Sequence, residues 1–236
     1  MGRDIFGMAL VDFQNGNYSE DIITHSSLGD EDSILIAYLF RDYKAMPSLE
    51  QKALDLCKGN ILDVGCGAGS HSLYLQQMGM EVTALDKSEG ATVTAKSRGI
   101  KNVVHSDIYD YSGTKFDTIL LLMNGIGLAE RMDELYRFLN HLKELLNPEG
   151  QILLDSSDII YMFEEDVDGG FWVPDTGNYY GEVEFTMEYK GLKSDPFNWL
   201  YLDFKRLEKV AEELNLSCEL VCEGPHFDYL ARLSYQ

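Results

Sequence analysis

From Gly59 to Asp155 the chain alternates short apolar runs with longer amphipathic stretches, a strand-and-helix rhythm. Ile61–Val64 reads as a buried strand, and Ser70 to about Met78 as the helix behind it. The rhythm continues with a strand at Glu81–Leu85, a helix through Ala91–Lys96, and strands at Asn102–His105 and Phe116–Leu122. A helix near Met132–Leu146 stops at Asn147-Pro148-Glu149-Gly150, ahead of a fifth strand at Gln151–Asp155. Five strands with intervening helices predict an open doubly wound α/β sheet, whose ligands sit beyond the carboxyl ends of the strands.

The flanks follow other periods. Ile5–Phe13 carries an apolar helical face and ends at the turn signal Asn15-Gly16-Asn17. Ile22–His25 reads as a short extended segment, and Ser33–Tyr43 is apolar and aromatic. Ser48 with Gln51 predicts a capping box for a helix reaching Cys57. Residues 1–48 are therefore a segment preceding a main domain at 49–236. Beyond the fifth strand, Gly181–Tyr189 alternates apolar residues with Glu182, Glu184, Thr186 and Glu188, a strand with one acidic face. Phe197–Leu202 reads as its hairpin partner, so that 158–202 form an insertion. Asp203 is placed to cap a helix at Phe204–Leu214. Leu216–Glu223 and Phe227–Leu233 around Gly224-Pro225-His226 predict a closing antiparallel hairpin.

The composition is that of a globular protein, 45% hydrophobic and 25% charged, but the net charge of -21 is not ordinary. Such a surface is repelled by the phosphates of nucleic acid and by anionic membranes. It serves solubility, or it attracts a cationic substrate. Cys57, Cys66, Cys218 and Cys222 show neither a metal-type nor a disulfide spacing. Met1-Gly2-Arg3-Asp4 opens no apolar leader, and Phe6 stands where a myristoylation signal needs Ser or Thr. A cytoplasmic protein with no membrane or nucleic-acid partner is expected.

The densest chemistry lies in Asp63-Val64-Gly65-Cys66-Gly67-Ala68-Gly69-Ser70. Glycines at alternate positions between a strand and a helix let a ligand approach the backbone, beside the free N–H groups of the helix start. A dinucleotide fingerprint requires a third glycine at position 70, where Ser70 stands, and Asp63 would repel a pyrophosphate. The pattern Asp-x-Gly-x-Gly-x-Gly closely resembles motif I of the class I S-adenosylmethionine-dependent methyltransferases. Asp86, ending the second strand, suits ribose hydroxyls, and Asp107 after the third matches the family's acid that meets the adenine amino group. The resemblance covers Asn60 to Asp155 well and the termini in outline.

That resemblance implies a Rossmann-like seven-stranded sheet in the order 3-2-1-4-5-7-6, with an N-terminal helical segment and a β-hairpin insertion after strand five. It implies S-adenosyl-L-methionine as cofactor, held by Asp63, Gly65, Cys66, Gly67, Gly69, Asp86, Lys87, Asp107, Ile108 and Asn124. Ile108 would pack on the adenine, and Arg41 would either meet the methionine carboxylate or form a surface ion pair. Asn124, just past the fourth strand, is the candidate for orienting the acceptor, or else it caps a turn. DNA amine methylases carry two prolines after that position and cytosine methylases a Pro-Cys pair; both are absent here. No metal is expected, because Asn124 stands where the metal-dependent relatives have an acid.

Tyr43, Tyr161, Tyr179, Tyr180 and Trp199 are candidates for an aromatic substrate pocket, formed where the N-terminal segment meets the insertion. His71 reads as an exposed or capping residue, His105 as core. The function expected is in-line methyl transfer to an O, N or C nucleophile of a small molecule. The alternatives are a protein methyltransferase and a non-catalytic cofactor-binding scaffold.

Overall fold

The computed structural model describes residues 3–166, 169–173 and 177–236. Helix α1 (Ile5–Gln14) leads into strands β1 (Ile22–Ser26) and β2 (Glu31–Ile34), the single turn α2 (Ile36–Leu39) and helix α3 (Ser48–Leu56). Then come β3 (Asn60–Val64), α4 (Ser70–Gln77), β4 (Glu81–Asp86), α5 (Glu89–Ser97), β5 (Val103–His105), β6 (Phe116–Leu121), α6 (Met132–Glu144) and β7 (Leu146–Ser157). The insertion holds a short ribbon, β8 (Glu164–Glu165) and β9 (Phe171–Trp172), followed by β10 (Glu182–Tyr189), β11 (Leu192–Lys193) and β12 (Phe197–Leu200). Helix α7 (Phe204–Glu213) precedes the closing hairpin of β13 (Leu216–Glu223) and β14 (Asp228–Tyr235).

The main sheet runs β13-β14-β7-β6-β3-β4-β5. The five adjacent strands β7, β6, β3, β4 and β5 are parallel, and β14 pairs antiparallel with β7. Read from β5, this is the order 3-2-1-4-5-7-6 that the sequence implied. Helix α6 buries Leu135, Phe138, Leu139 and Leu142 on one side of the sheet, at i, i+3, i+4 and i+7. On the other side Leu49, Ala53 and Leu54 of α3 join Ile61, Leu120 and Leu153 from three strands. Buried apolar runs of this kind require cover on both faces.

Two local expectations are corrected. Ser48 is the first helical residue of α3, and Pro47 occupies the capping position without a side-chain bond. Gln51 Nε2 instead donates to the carbonyls of Tyr43 and Met46 at 3.0 and 2.9 Å, tying α3 to the preceding turn. The fifth strand begins at Leu146 rather than Gln151, because Leu146 already pairs with Phe116 across an irregular step in β6.

A second sheet, β11-β10-β1-β2 with β12 paired to β10, joins the N-terminal segment to the insertion. Ile23–Ser26 pair with Phe185–Glu188, and Val183 pairs with Trp199 in the hairpin. Helix α1 is pressed onto α5 where two glycines meet; a Cβ on Gly90 would lie 2.4 Å from the Gly7 carbonyl. Asp4 secures the crossing: Oδ1 accepts from Gly7 N at 2.9 Å, and Oδ2 from Ser88 Oγ and Gly90 N at 2.8 and 3.0 Å. Gly90→Ala therefore has to push the α1 and α5 backbones apart and should cost about 1–3 kcal/mol, the range for overpacking. Urea unfolding checks this, with an unchanged midpoint as the contrary result.

Candidate cofactor and acceptor site

Strand β3 delivers the glycine loop, whose Gly65, Gly67 and Gly69 all have positive φ (75°, 53° and 80°). The loop is pinned to the next strand, because Gly65 N and Cys66 N both donate to Leu85 O, at 2.8 and 3.1 Å. Asp86 Oδ2 accepts from Gly67 N and Oδ1 from Ser88 N, each at 2.8 Å. That carboxylate is 7% exposed. Burial raises its pKa against those two donors, and the charges of Asp4 and Asp63 push the same way. Each oxygen retains acceptor capacity beyond the one backbone bond.

The outer face of the loop is a cradle. A Cβ at Gly65 would meet only the Leu128 side chain, from 3.3 Å, and one at Gly67 only the Phe6 ring, from 3.7 Å. Only side-chain tips face these two residues, so the loop backbone can be approached by a ligand. This fits a sulfonium nucleoside held against glycines, with a carboxylate beside it.

Asp63 lies behind the loop rather than in it. It is buried, and its Oδ2 accepts from Ser72 Oγ at 2.5 Å, which fixes the first turn of α4. Burial raises its pKa, opposed by nearby His71 and by Ser72. Cys66 is buried in the loop, where burial pushes its thiol well above the ordinary range. Asp107 caps the turn Ile108–Asp110, accepting from Tyr109 N at 3.0 Å. Ile108 is buried, and its carbonyl accepts from His141 Nε2 at 2.8 Å. Lys87 is exposed between Asp86 and Ser88, and its carbonyl accepts from His105 at 3.1 Å. His105 is exposed rather than core.

Sequence reading missed one buried ionic cluster. Both oxygens of Glu50 engage Arg41 Nη2, and Glu50 Oε2 also meets His71 Nε2 at 2.7 Å. All three side chains are buried, which corrects His71 as exposed and Arg41 as a surface pair. Burial raises the Glu50 pKa, but His71 and Arg41 together outweigh it and hold the carboxyl below its ordinary value. Arg41 packs over the Tyr38 ring at 3.9 Å, and its Nε is buried with no protein partner. Glu50 sits in the first turn of α3, where a solvated acid is common, so local sequence carried no signal.

Past β6 the backbone turns through Met123 and Asn124, both at positive φ. Asp155, at the end of β7, grips this turn by accepting from Met123 N at 3.1 Å and Gly125 N at 2.9 Å. Asn124 is engaged at both ends. Its Nδ2 donates to Leu200 O at 3.0 Å, and its Oδ1 accepts from Ser156 Oγ and Ser157 N at 3.0 and 3.2 Å. The amide thus links the turn to β7 and to the insertion, and makes no side-chain capping bond to the turn Gly125–Ala129 itself.

The five candidate aromatics do not form one cluster, although Tyr179 and Tyr180 pack together with their ring centroids 4.4 Å apart. Tyr43 stacks on Tyr74 at 4.2 Å and donates to Asp55, on the α3–α4 side away from the insertion. Tyr179 donates to Asp203, the cap of α7, and Tyr180 to Asp158. Trp199 lies against Gly127, where a Cβ would come within 2.1 Å of its indole nitrogen. It docks the second sheet on the turn after β6. Tyr161 remains half exposed, stacked on Phe227 at 5.2 Å.

Burial pushes the Asp155 carboxyl up to about 6, from an ordinary value of 3.8, against its backbone donors. A raised folded-state pKa means that this group's stabilising contribution is complete below about pH 4 and is lost as pH rises through about 6. The difference between the two values corresponds to about 3 kcal/mol. The stability of the native chain relative to Asp155→Asn should therefore fall by about that amount between pH 4 and pH 7. Equal pH dependence of the two proteins in urea unfolding would contradict it.

Comparisons with known proteins agree with this geometry. A methyltransferase-domain family model matches residues 62–154. A Bacteroides fragilis S-adenosylmethionine-dependent methyltransferase, solved with S-adenosyl-L-homocysteine, superposes with a TM-score of 0.91. It is 44% identical, over 98% of this chain and 94% of its own. The chain belongs to the class I S-adenosylmethionine-dependent methyltransferases, and S-adenosylmethionine is the family's cofactor. Ubiquinone biosynthesis O-methyltransferases of Rickettsia conorii and Rickettsia canadensis are 30% and 31% identical over 112 and 107 residues. Those matches cover 45% and 43% of this chain, and only 38% and 44% of the relatives' own lengths. Among the described residues, no helix is long and apolar enough to cross a membrane.

Proposed function

We propose that the protein transfers a methyl group from S-adenosylmethionine to an O, N or C nucleophile of a small molecule, by in-line displacement in the cytoplasm. The observation that carries this reading is the buried Asp86 carboxylate at the tip of β4, one hydrogen bond from Gly67 in a loop open to a ligand. S-adenosylmethionine supplies a methyl group already activated on a sulfonium, with a neutral leaving group. The chain's own work is therefore binding and alignment, which account for much of such a barrier.

In this reading Gly65, Cys66, Gly67 and Gly69 admit the methionine portion, with Asp63 holding the loop from behind. Asp86 accepts from ribose hydroxyls with Lys87 at its flank. Asp107 accepts from the adenine amino group, and Ile108 packs on the ring. Arg41 is the candidate partner for the methionine carboxylate. Asp155 and Asn124 fix the turn after β6, past which the acceptor approaches. The second sheet roofs that approach, so residues 1–48 and the 158–202 insertion act as one cover over the main domain. The matched segments of the ubiquinone O-methyltransferases favour a small-molecule acceptor over nucleic acid, as does the net charge of -21.

Incubation with S-adenosylmethionine and a metabolite pool, scored by S-adenosylhomocysteine formation, tests the reading. Product above the no-acceptor control is expected. Product formed only with basic peptides would move the acceptor to proteins, and cofactor binding without product from either would leave a scaffold.

A further inference from the structure

Two bulky apolar residues hold the left-handed backbone conformation at the carboxyl edge of the main sheet: Met123 (φ 67°) and Phe227 (φ 59°). Bulky side chains rarely take that region, and such outliers gather where a ligand is handled. Both side chains also face water, Met123 at 39% and Phe227 at 58% exposure. The turns account for the backbone, Met123 in the one gripped by Asp155 and Phe227 in the hairpin turn closed by Gly224 N on Asp228 O at 2.7 Å; they do not account for apolar side chains left open to water. Tyr161, 49% exposed, lies beside Phe227 with the rings 20° from parallel.

These three residues stand on one hydrogen-bonded rim. Met123 N donates to Asp155, and Asn124 Oδ1 accepts from Ser157 N. The next residue along, Asp158, donates its N–H to Phe227 O at 3.0 Å, and its carboxylate is held by Tyr180 at 2.7 Å. The rim thus crosses the ends of β6 and β7 and the turn before β14, on the side where an open α/β sheet binds ligands. Its backbone is tied by these bonds, and the apolar side chains of Met123, Tyr161 and Phe227 stand open to solvent among its polar groups.

We propose that Met123, Tyr161 and Phe227 form a stacking platform for the methyl acceptor, which is accordingly a small molecule with a planar aromatic ring. This rests on the methyl-transfer reading above and names the substrate class for the same site. Thioether and ring faces suit such a partner, since both make favourable contacts with aromatic rings.

The test uses the whole chain loaded with S-adenosylhomocysteine and two neutral probes, catechol and cis-cyclohexane-1,2-diol, titrated by saturation-transfer NMR. Catechol should bind more tightly, by up to about tenfold, the worth of ring stacking. Phe227→Gly should abolish that preference. Glycine takes positive φ freely, so the variant should keep its thermal midpoint and its affinity for S-adenosylhomocysteine. Equal binding of the two diols, no detectable binding of either at millimolar concentration, or a preference that survives in Phe227→Gly would overturn the proposal. So would a lowered midpoint in that variant, because the ring would then be packing. Each of these failures, with S-adenosylhomocysteine still bound, leaves the methyl-transfer reading standing; loss of that binding in the native chain would overturn both.

Discussion

Glu50→Ala should be the most destabilising single substitution discussed for this chain, costing about 3–5 kcal/mol. The change leaves Arg41 and His71 buried beside each other with no counter-charge. An unpaired buried guanidinium loses its attraction and keeps its desolvation penalty. Replacing both Arg41 and Glu50 with apolar residues should cost much less than Glu50→Ala alone, because no orphan charge remains. Chemical unfolding of the native, single and double variants checks this. A Glu50→Ala loss below about 1 kcal/mol would mean that the cluster is solvated as an exposed pair is.

The second large effect is on binding. Asp86→Ala should weaken S-adenosylhomocysteine binding by one to two decades, since hydrogen bonds to a charged acceptor are worth about 1.5–3 kcal/mol. The variant also frees Gly67 N and Ser88 N, so the loop loses some of its anchoring. Removal of a buried carboxylate whose pKa is raised offsets that loss, and the fold should persist by circular dichroism. Unchanged affinity in a folded variant would remove Asp86 from the ribose role.

The main sheet was legible because its parallel strands announce themselves locally, as short apolar runs separated by helical stretches. The position of Asp86 was legible for the same reason, since it ends β4, whereas Asp63 precedes the last residue of β3 and Asp107 lies two residues past β5. The second sheet was not legible as one object. Ile23–Ser26 and Phe185–Glu188 each carry a strand pattern, but nothing local in either says that they pair. The roles of Tyr43, Tyr179 and Trp199 failed to show for a related cause. An aromatic residue in a strand or turn advertises burial, not direction, and these three found Tyr74, Asp203 and Gly127. Asp155 carried no local signal for its part, which is to accept from the backbone of the Met123–Gly125 turn one strand away.

The central claim is that the loop between β3 and α4 holds a sulfonium nucleoside and not a dinucleotide. Thermal unfolding with S-adenosylhomocysteine or NAD, in parallel, tests it most directly. At a concentration of about 100 times its dissociation constant, S-adenosylhomocysteine should add about 2.7 kcal/mol of stability, and NAD should leave the transition where it was. Stabilisation by NAD, with no response to S-adenosylhomocysteine or S-adenosylmethionine, would contradict it.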